Sequence, residues 1–515
     1  MENQLKRKYG LLMAMCMVVG TIIGSGIFFQ NERVITYIGG RMWIGIAAWA
    51  VGGLITLSLA YVASTLATRH EKVGGLVDYT EALVGKSYSY VFGWFLATIF
   101  YPAMTGTLAF VTARFTVELF GWNTAYGVNQ FLSGETWALA LFYLVLIYAV
   151  NGLSTKISEK IQISGTFIKV IPLILMGIVG TIFGLVNGVT LENLNFTATH
   201  VGRVYNEYGQ LVTEGTLVGA RTAMSAFFYA LVATAFAYAG WDCVINLNSE
   251  IKDAKRNLPK ALIVGMIIIT SIYVAYFVGI FGASPVESAV AAGGVGTRTG
   301  FMAVFGDFAG TLLFVFIIIS CIGTLNGLTV ASQRSIYAIS ARNTGPRPRL
   351  FGQIDKETNM PNNSIFLSMI FIAAWMVVIF AHNSMSNPPF NSINESLHGF
   401  NFSIVAFAPV GLCMLLLPLL VQVIHKQKDF GVFNRFIAPT LAIIGTLFLM
   451  YATWYQQRNI VFIFLIVLSV LSIIGLLLTF GKDKTPMRGV TAWICGFVLV
   501  IVVSVVLLVV LNSVA

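Results

Sequence analysis

Runs of about twenty apolar residues recur along the chain between short polar segments, and this pattern restricts the possible folds more than any other feature. A helix rises 1.5 Å per residue, so roughly 20 residues cross the ~30 Å hydrocarbon core of a bilayer. In that core each unpaired amide or carbonyl costs several kcal/mol, so such runs fold as helices whose hydrogen bonds close within each span. Composition agrees: of 515 residues, 57% are hydrophobic and 10% charged. The runs predict thirteen spans, at 11–38, 42–68, 88–118, 134–151, 157–186, 220–247, 260–282, 300–341, 364–381, 401–424, 434–454, 459–480 and 490–512. The first run is longer than the apolar region of a secretory leader and has no small-residue cleavage site, so it reads as a retained helix.

The net charge of +10 is sorted by loop. With the amino terminus inside, alternate segments carry 22 of the 31 Lys and Arg residues, from Lys6 to Arg488. This positive-inside bias places the amino terminus in the cytoplasm, and the carboxyl terminus outside if the thirteenth run is a span. No soluble element carries a basic face, which argues against a nucleic-acid partner. Five cysteines scattered through apolar runs and five histidines at loops or helix ends lack metal-ligand spacing, so neither metal nor cofactor is expected. Acid, base and nucleophile do not converge in the sequence, which excludes an evident enzyme. A channel lacks its repeated filter or ring of charge. A sensor or scaffold lacks its soluble domain.

Three features break the apolar pattern. The first is GTIIGSGIFF at 20–29. Gly20 and Gly24 have the spacing of a small-residue packing face. The same stretch also suits an unwound segment at Gly24, Ser25 and Gly26, where missing β-carbons let the backbone leave helical geometry and turn its amides toward an anion. The second is FAYAGWD at 236–242. Unwinding near Ala237 to Gly240 frees carbonyls for a protonated amine, with Phe236 over the bound molecule, whereas simple packing leaves the carboxylate of Asp242 unexplained. Third is Lys169, nine residues beyond Lys160 and so roughly 13 Å into the bilayer. Either it stabilises a helix end, or it is a fixed cation that fills the electrostatic role of a bound sodium. Asn326, in a polar strip of the eighth run, reads either as interhelical glue or as pathway lining.

The polar segment 187–219 separates two blocks of five runs, each opening with a glycine-weakened helix. Because five is odd, the blocks face opposite ways, the pattern of an inverted repeat with its site between the halves. The domains are thus 1–186, the first repeat; 187–219, an extracellular loop; 220–424, the second repeat; and 425–515, additional helices.

GTIIGSGIF at 20–28, FAYAGWDCVINLNSEIKDAKRNLPKAL at 236–262, LNGLTVASQRSIYAISARNTGPRPRLF at 325–351 and TFIKVIPL at 166–173 resemble the amino acid–polyamine–organocation superfamily, and within it the L-type amino acid transporter branch. The resemblance implies an all-α polytopic membrane protein of 12–13 helices, with an inverted five-plus-five core working by alternating access and discontinuous helices one and six. It assigns the substrate carboxylate to Thr21, Gly24, Ser25 and Gly26, and the amine and gate to Ala235, Phe236, Ala237 and Ala239. Lys169 then marks sodium independence. L-type members commonly read YGGWN where this chain has Tyr238, Ala239, Gly240, Trp241 and Asp242, so the pocket narrows and a proton acceptor is added. The loop 121–135 has no cysteine for a disulfide-linked partner. The implied function is sodium-independent exchange of neutral L-amino acids across a plasma membrane, with substrate and lipid as partners and the oligomeric state open. Proton symport remains open through Asp242. A polyamine or cationic amino acid permease also remains open, although a polyamine needs more buried carboxylates than Asp242 supplies.

Overall fold

The computed structural model describes residues 7–69, 75–122, 134–153, 155–196, 201–205, 211–216, 222–286, 296–355, 360–385, 414–424 and 431–480, together with Ile494, Val498 and Val502. Among them nine helices are long and apolar enough to cross a membrane, or ten when the bent pair α1 (Leu11–Ile22) and α2 (Gly26–Tyr37) counts as one span. The others are α3 (Met42–Ala67), α5 (Lys86–Phe120), α6 (Gly134–Leu153), α7 (Lys156–Val186), α10 (Ala254–Ala283), α12 (Asp307–Ser340), α13 (Asn362–Met385) and the two crossings of α15 (Ala438–Phe480). Shorter helices are α4 (Leu76–Val84), α8 (Val189–Asn195), α9 (Ala223–Ala237), α11 (Gly296–Phe305) and α14 (Leu416–Ile424).

Several expected boundaries move. The eighth run is not one helix from 300 to 341: Gly306, at φ +81°, separates α11 from α12. Helix α10 begins at Ala254 rather than 260, and the sixth run is helical only from Ala223 to Ala237. Sequence reading missed α4 between the second and third spans. It also left the 187–219 loop featureless, where α8 and a hairpin of β1 (Val201–Tyr205) and β2 (Leu211–Thr216) form. All of the thirteenth run except Ile494, Val498 and Val502, and residues 401–413 of the tenth, lie outside the described residues.

Helix α15 has 43 residues, about 65 Å of rise and twice the hydrocarbon thickness. It contains two membrane-length windows, Phe433–Gln456 (counting the turn before it) and Val461–Thr479. Phe433 meets Tyr61 at the start, Tyr455 meets Phe228 midway, and Thr479 Oγ1 accepts from Gly345 N at 2.9 Å near the end. Tyr61 stands near the carboxyl end of α3 and Gly345 just beyond that of α12, so α15 starts and finishes beside the carboxyl ends of two other spans.

Small residues and prolines shape the helices around the site. On α7 and α10, Gly184 faces Gly282 and Gly180 faces Gly279 so closely that an added β-carbon would lie 2.0 Å and 2.6 Å from carbonyl oxygens. Such contact replaces the hydrophobic drive that is absent between helices in lipid. Pro102 of α5 has no N–H for the carbonyl of Thr98, and the helix passes through a π turn at Leu96–Phe100. The orphaned Thr98 carbonyl accepts from Trp375 Nε1 at 2.7 Å, which joins α5 to α13.

Candidate functional site

The first interruption is where the glycines put it. Helix α1 ends at Ile22, Ile23 turns extended at ψ 94°, and α2 restarts at Gly26 after a 45° bend. Ile23 N still reaches Val19 O at 2.9 Å, but the amides of Gly24 and Ser25 donate to no described backbone carbonyl. Gly26 opens α2, whose first-turn amides have no intrahelical partners. A β-carbon on Gly24 would lie 2.7 Å from Thr324 Oγ1, and one on Gly26 only 2.8 Å from Ala237 Cα. The two interrupted spans thus touch through glycine.

On the other side, α9 ends at Ala237 and a 3₁₀ turn resumes at Cys243–Glu250. Gly240 sits between them at φ +99°, against Thr21. Ala239 N turns back to Phe236 O at 3.1 Å, and the carbonyls of Ala235, Tyr238 and Ala239 accept from no described backbone donor. Tyr273 of α10 holds both interruptions. Its hydroxyl lies 3.1 Å from Ile22 O and 3.1 Å from Ala237 O. Sequence reading missed Tyr273, because a tyrosine in an apolar run carries no signal that its hydroxyl meets two distant carbonyls.

Between the interruptions lies a cavity of about 350 Å³ lined by Thr21, Gly24, Ser25, Gly26, Phe236 and Ala239, with Met104, Leu108 and Leu328 as apolar walls. The Thr21 hydroxyl is buried there without a hydrogen-bond partner. Six of the eight residues expected to hold carboxylate and amine are therefore together. The other two are adjacent: Ala237 backs Gly26, and Ala235 lines a neighbouring chamber of about 620 Å³. Asp242 also faces that chamber rather than the smaller cavity. Its Oδ2 accepts from the Tyr101 hydroxyl at 2.5 Å, and Asn246 Nδ2 donates to the same hydroxyl at 2.7 Å.

Lys169 is fully buried. Its ammonium donates to Gly20 O, to Ile23 O at 2.6 Å, to Ser320 O at 3.3 Å and to Thr324 Oγ1 at 3.4 Å. Gly20 and Ile23 are the carbonyls that the interruption of the first span leaves open, and Thr324 Oγ1 also donates toward both. A cage of neutral oxygens around a monovalent cation is the arrangement by which membrane proteins coordinate alkali ions. Here an ammonium occupies it. Asn326 takes no part in the cavity. It accepts from Asn151 Nδ2 at 2.8 Å and donates to Gln162 Oε1 at 2.9 Å, tying α12 to α6 and α7.

Before α1, the amino-terminal segment is tied to the end of the second interruption. Tyr9 pairs with Ile251, Glu250 accepts from Arg334 Nε at 2.5 Å and Nη2 at 3.2 Å, and Lys8 Nζ lies 2.9 Å from Glu250. On α2, Phe28 O accepts from Thr297 Oγ1 at 3.1 Å. Arg334→Met leaves the buried Glu250 carboxylate only its partly exposed partner Lys8, so it is expected to destabilise the protein by about 3 kcal/mol, the lower end of what breaking a buried ion pair costs. Lys8, 26% exposed, should contribute far less, and Lys8→Ala should cost under about 1 kcal/mol. Chemical denaturation in detergent measures both. Equal effects would contradict the assigned geometry.

A match to the amino acid permease family covers residues 9–477. The serine/threonine exchanger SteT of Bacillus subtilis is 27% identical over 452 residues, 88% of this chain and 92% of its own. The cystine/glutamate transporter of Homo sapiens is 27% identical over 363 residues, 70% of this chain and 66% of its own. In fold, a crystal structure of MhsT in complex with L-phenylalanine aligns at a TM-score of 0.53 and 16% identity, covering 87% of this chain and 98% of that one. The architecture is accordingly an all-α polytopic one with an inverted five-plus-five core and interrupted helices, a transporter's fold and not an enzyme's. Matched over nearly all of its described length and folded around two touching interruptions, the chain belongs to the amino acid permease family, within the amino acid–polyamine–organocation superfamily.

Proposed function

We propose that this protein is a sodium-independent exchanger of neutral L-amino acids, of the L-type branch, working by alternating access with its amino terminus in the cytoplasm. The observation that carries the reading is the meeting of open amides at Gly24 to Gly26 with the open carbonyl of Ala239 around one cavity, the open carbonyls of Ala235 and Tyr238 standing beside it. Amides at a helix start favour a carboxylate, and carbonyls at a helix end favour an ammonium. A small zwitterion satisfies both at once, with its side chain toward Met104, Leu108 and Leu328. Thr21 supplies a further donor, and Phe236 covers the site.

Sodium independence is supported by the ammonium of Lys169 standing in the oxygen cage. Exchange follows from the energetics of the empty site, whose open backbone groups disfavour rearrangement until a ligand pairs them. The name of one relative, an exchanger of serine and threonine, supports a pairing of amino acid fluxes. In proteoliposomes loaded with unlabelled neutral amino acid, labelled substrate should enter rapidly by counterflow, with negligible uptake into empty vesicles and no response to sodium. Net accumulation into empty vesicles would overturn the reading.

Asp242 favours a second reading, proton-coupled symport, because its buried carboxylate meets the Tyr101 hydroxyl beside a chamber that shares Ala235 and Ala239 with the interrupted span. Asp242→Asn separates the two. Under exchange the variant retains at least about half of wild-type counterflow, whereas under symport it loses uptake driven by an imposed pH gradient.

A further inference from the structure

The most voluminous described cavity has no part in the transport site. It is a groove of about 1120 Å³ between α3, α10 and the first crossing of α15, lined by Leu54, Tyr61, Ile263, Leu441, Gly445 and Phe448 among others. Leu54 and Leu441 are 61% and 54% exposed, so the groove opens away from the bundle. All three walls are membrane-spanning segments, and the medium that meets them is lipid. Along α3 the lining runs from Val51 to Tyr61, about 15 Å of helix rise, which is half the hydrocarbon core and the depth of one leaflet.

One end of the groove is polar. The Tyr61 hydroxyl donates to Asn434 Oδ1 at 2.9 Å. Arg435 lies one turn before the lining residue Ala438, with its Nε buried and without an acceptor. Lys260 lies one turn before the lining residue Ile263. Contacts of Gly45 with Phe277 and of Gly53 with Thr270 set α3 and α10 antiparallel, which brings Ile263 about level with Tyr61 and Lys260 one turn beyond it. Two cations therefore flank the polar end of a one-leaflet apolar slot, within a few residues of its lining, the Arg435 guanidinium lying 4.4 Å over the Phe436 ring. Along α10 the nearest acidic residue, Asp253, is about two turns from Lys260.

We propose that this groove binds an anionic phospholipid, with one acyl chain along α3 and the phosphate held by Arg435 and Lys260. Long basic side chains reach the headgroup level while their stems line apolar surface, and each basic group near an anionic headgroup strengthens binding several-fold.

Native mass spectrometry of the purified full-length protein, titrated with phosphatidylglycerol and with phosphatidylcholine of the same acyl composition, tests the assignment. Wild type should hold the first phosphatidylglycerol about tenfold more tightly than phosphatidylcholine. The double variant Arg435→Gln, Lys260→Gln should bind both alike, and Leu54→Trp, which fills the slot from an exposed position, should weaken both by about fivefold or more. Unchanged preference in the double variant, or unchanged occupancy in Leu54→Trp, would overturn the proposal.

Discussion

Gly26→Val is expected to abolish substrate binding and exchange while the protein still assembles in the membrane. The atom nearest to a β-carbon at this position is the Cα of Ala237, at 2.8 Å, followed by Ala237 Cβ at 3.1 Å and Phe236 Cδ1 at 3.4 Å. Backbone cannot rotate aside as a side chain can, so the two interrupted spans must separate, and the amides of one no longer converge with the carbonyls of the other. Interior packing passes such a displacement on rather than absorbing it. Affinity should fall by at least about a hundredfold, or roughly 2.7 kcal/mol. Gly10→Ala is the control, because nothing lies within 4 Å of its added carbon. Calorimetric titration and counterflow read the two variants. Wild-type affinity in Gly26→Val would mean that the ligand sits elsewhere.

The second large effect is at Lys169. Lys169→Ala removes the donor shared by Gly20 O and Ile23 O and opens a buried hollow lined by oxygens. The Thr324 and Ser320 hydroxyls can still donate to these carbonyls, but neither carries the charge or the three donors of the ammonium, and a lost hydrogen bond to a charged group costs about 1.5–3 kcal/mol, so exchange should fall to about 1–10% of wild type in sodium-free medium. An empty oxygen cage also accepts a small cation. Sodium should therefore raise the melting temperature of Lys169→Ala by several degrees relative to choline and leave wild type unmoved, a shift expected from mass action on a newly opened site. A variant that exchanges normally, with no response to sodium, would remove Lys169 from the account.

The sequence disclosed those parts of the site that local chemistry dictates. Glycines in a membrane helix mark where a backbone leaves helical geometry, and Gly24, Gly26 and Gly240 all stand at the interruptions. A lysine at mid-depth must find acceptors, and Lys169 found the opened carbonyls of the first span. What stayed hidden depends on which face of a helix meets which neighbour. Asn326 and Asp242 were both legible as costly polar groups, yet the turn of α12 directs Asn326 to α6 and α7, and the path after Gly240 directs Asp242 to Tyr101. Tyr273 was invisible for the converse reason, since its residue type is ordinary and only tertiary position makes its hydroxyl a clamp. Short elements such as α4 and the β1–β2 hairpin escaped because hydropathy reads only spans of bilayer length.

The central claim is that one amino acid bridges the two interruptions. A density map of the protein with a bound neutral amino acid tests it most directly. The account predicts the carboxylate within hydrogen-bonding distance of the Gly24, Ser25 and Gly26 amides, and the ammonium within the same reach of carbonyls between Ala235 and Ala239. Density for the ligand in any other cavity, or an unbroken helix from Leu11 to Tyr37, would contradict it.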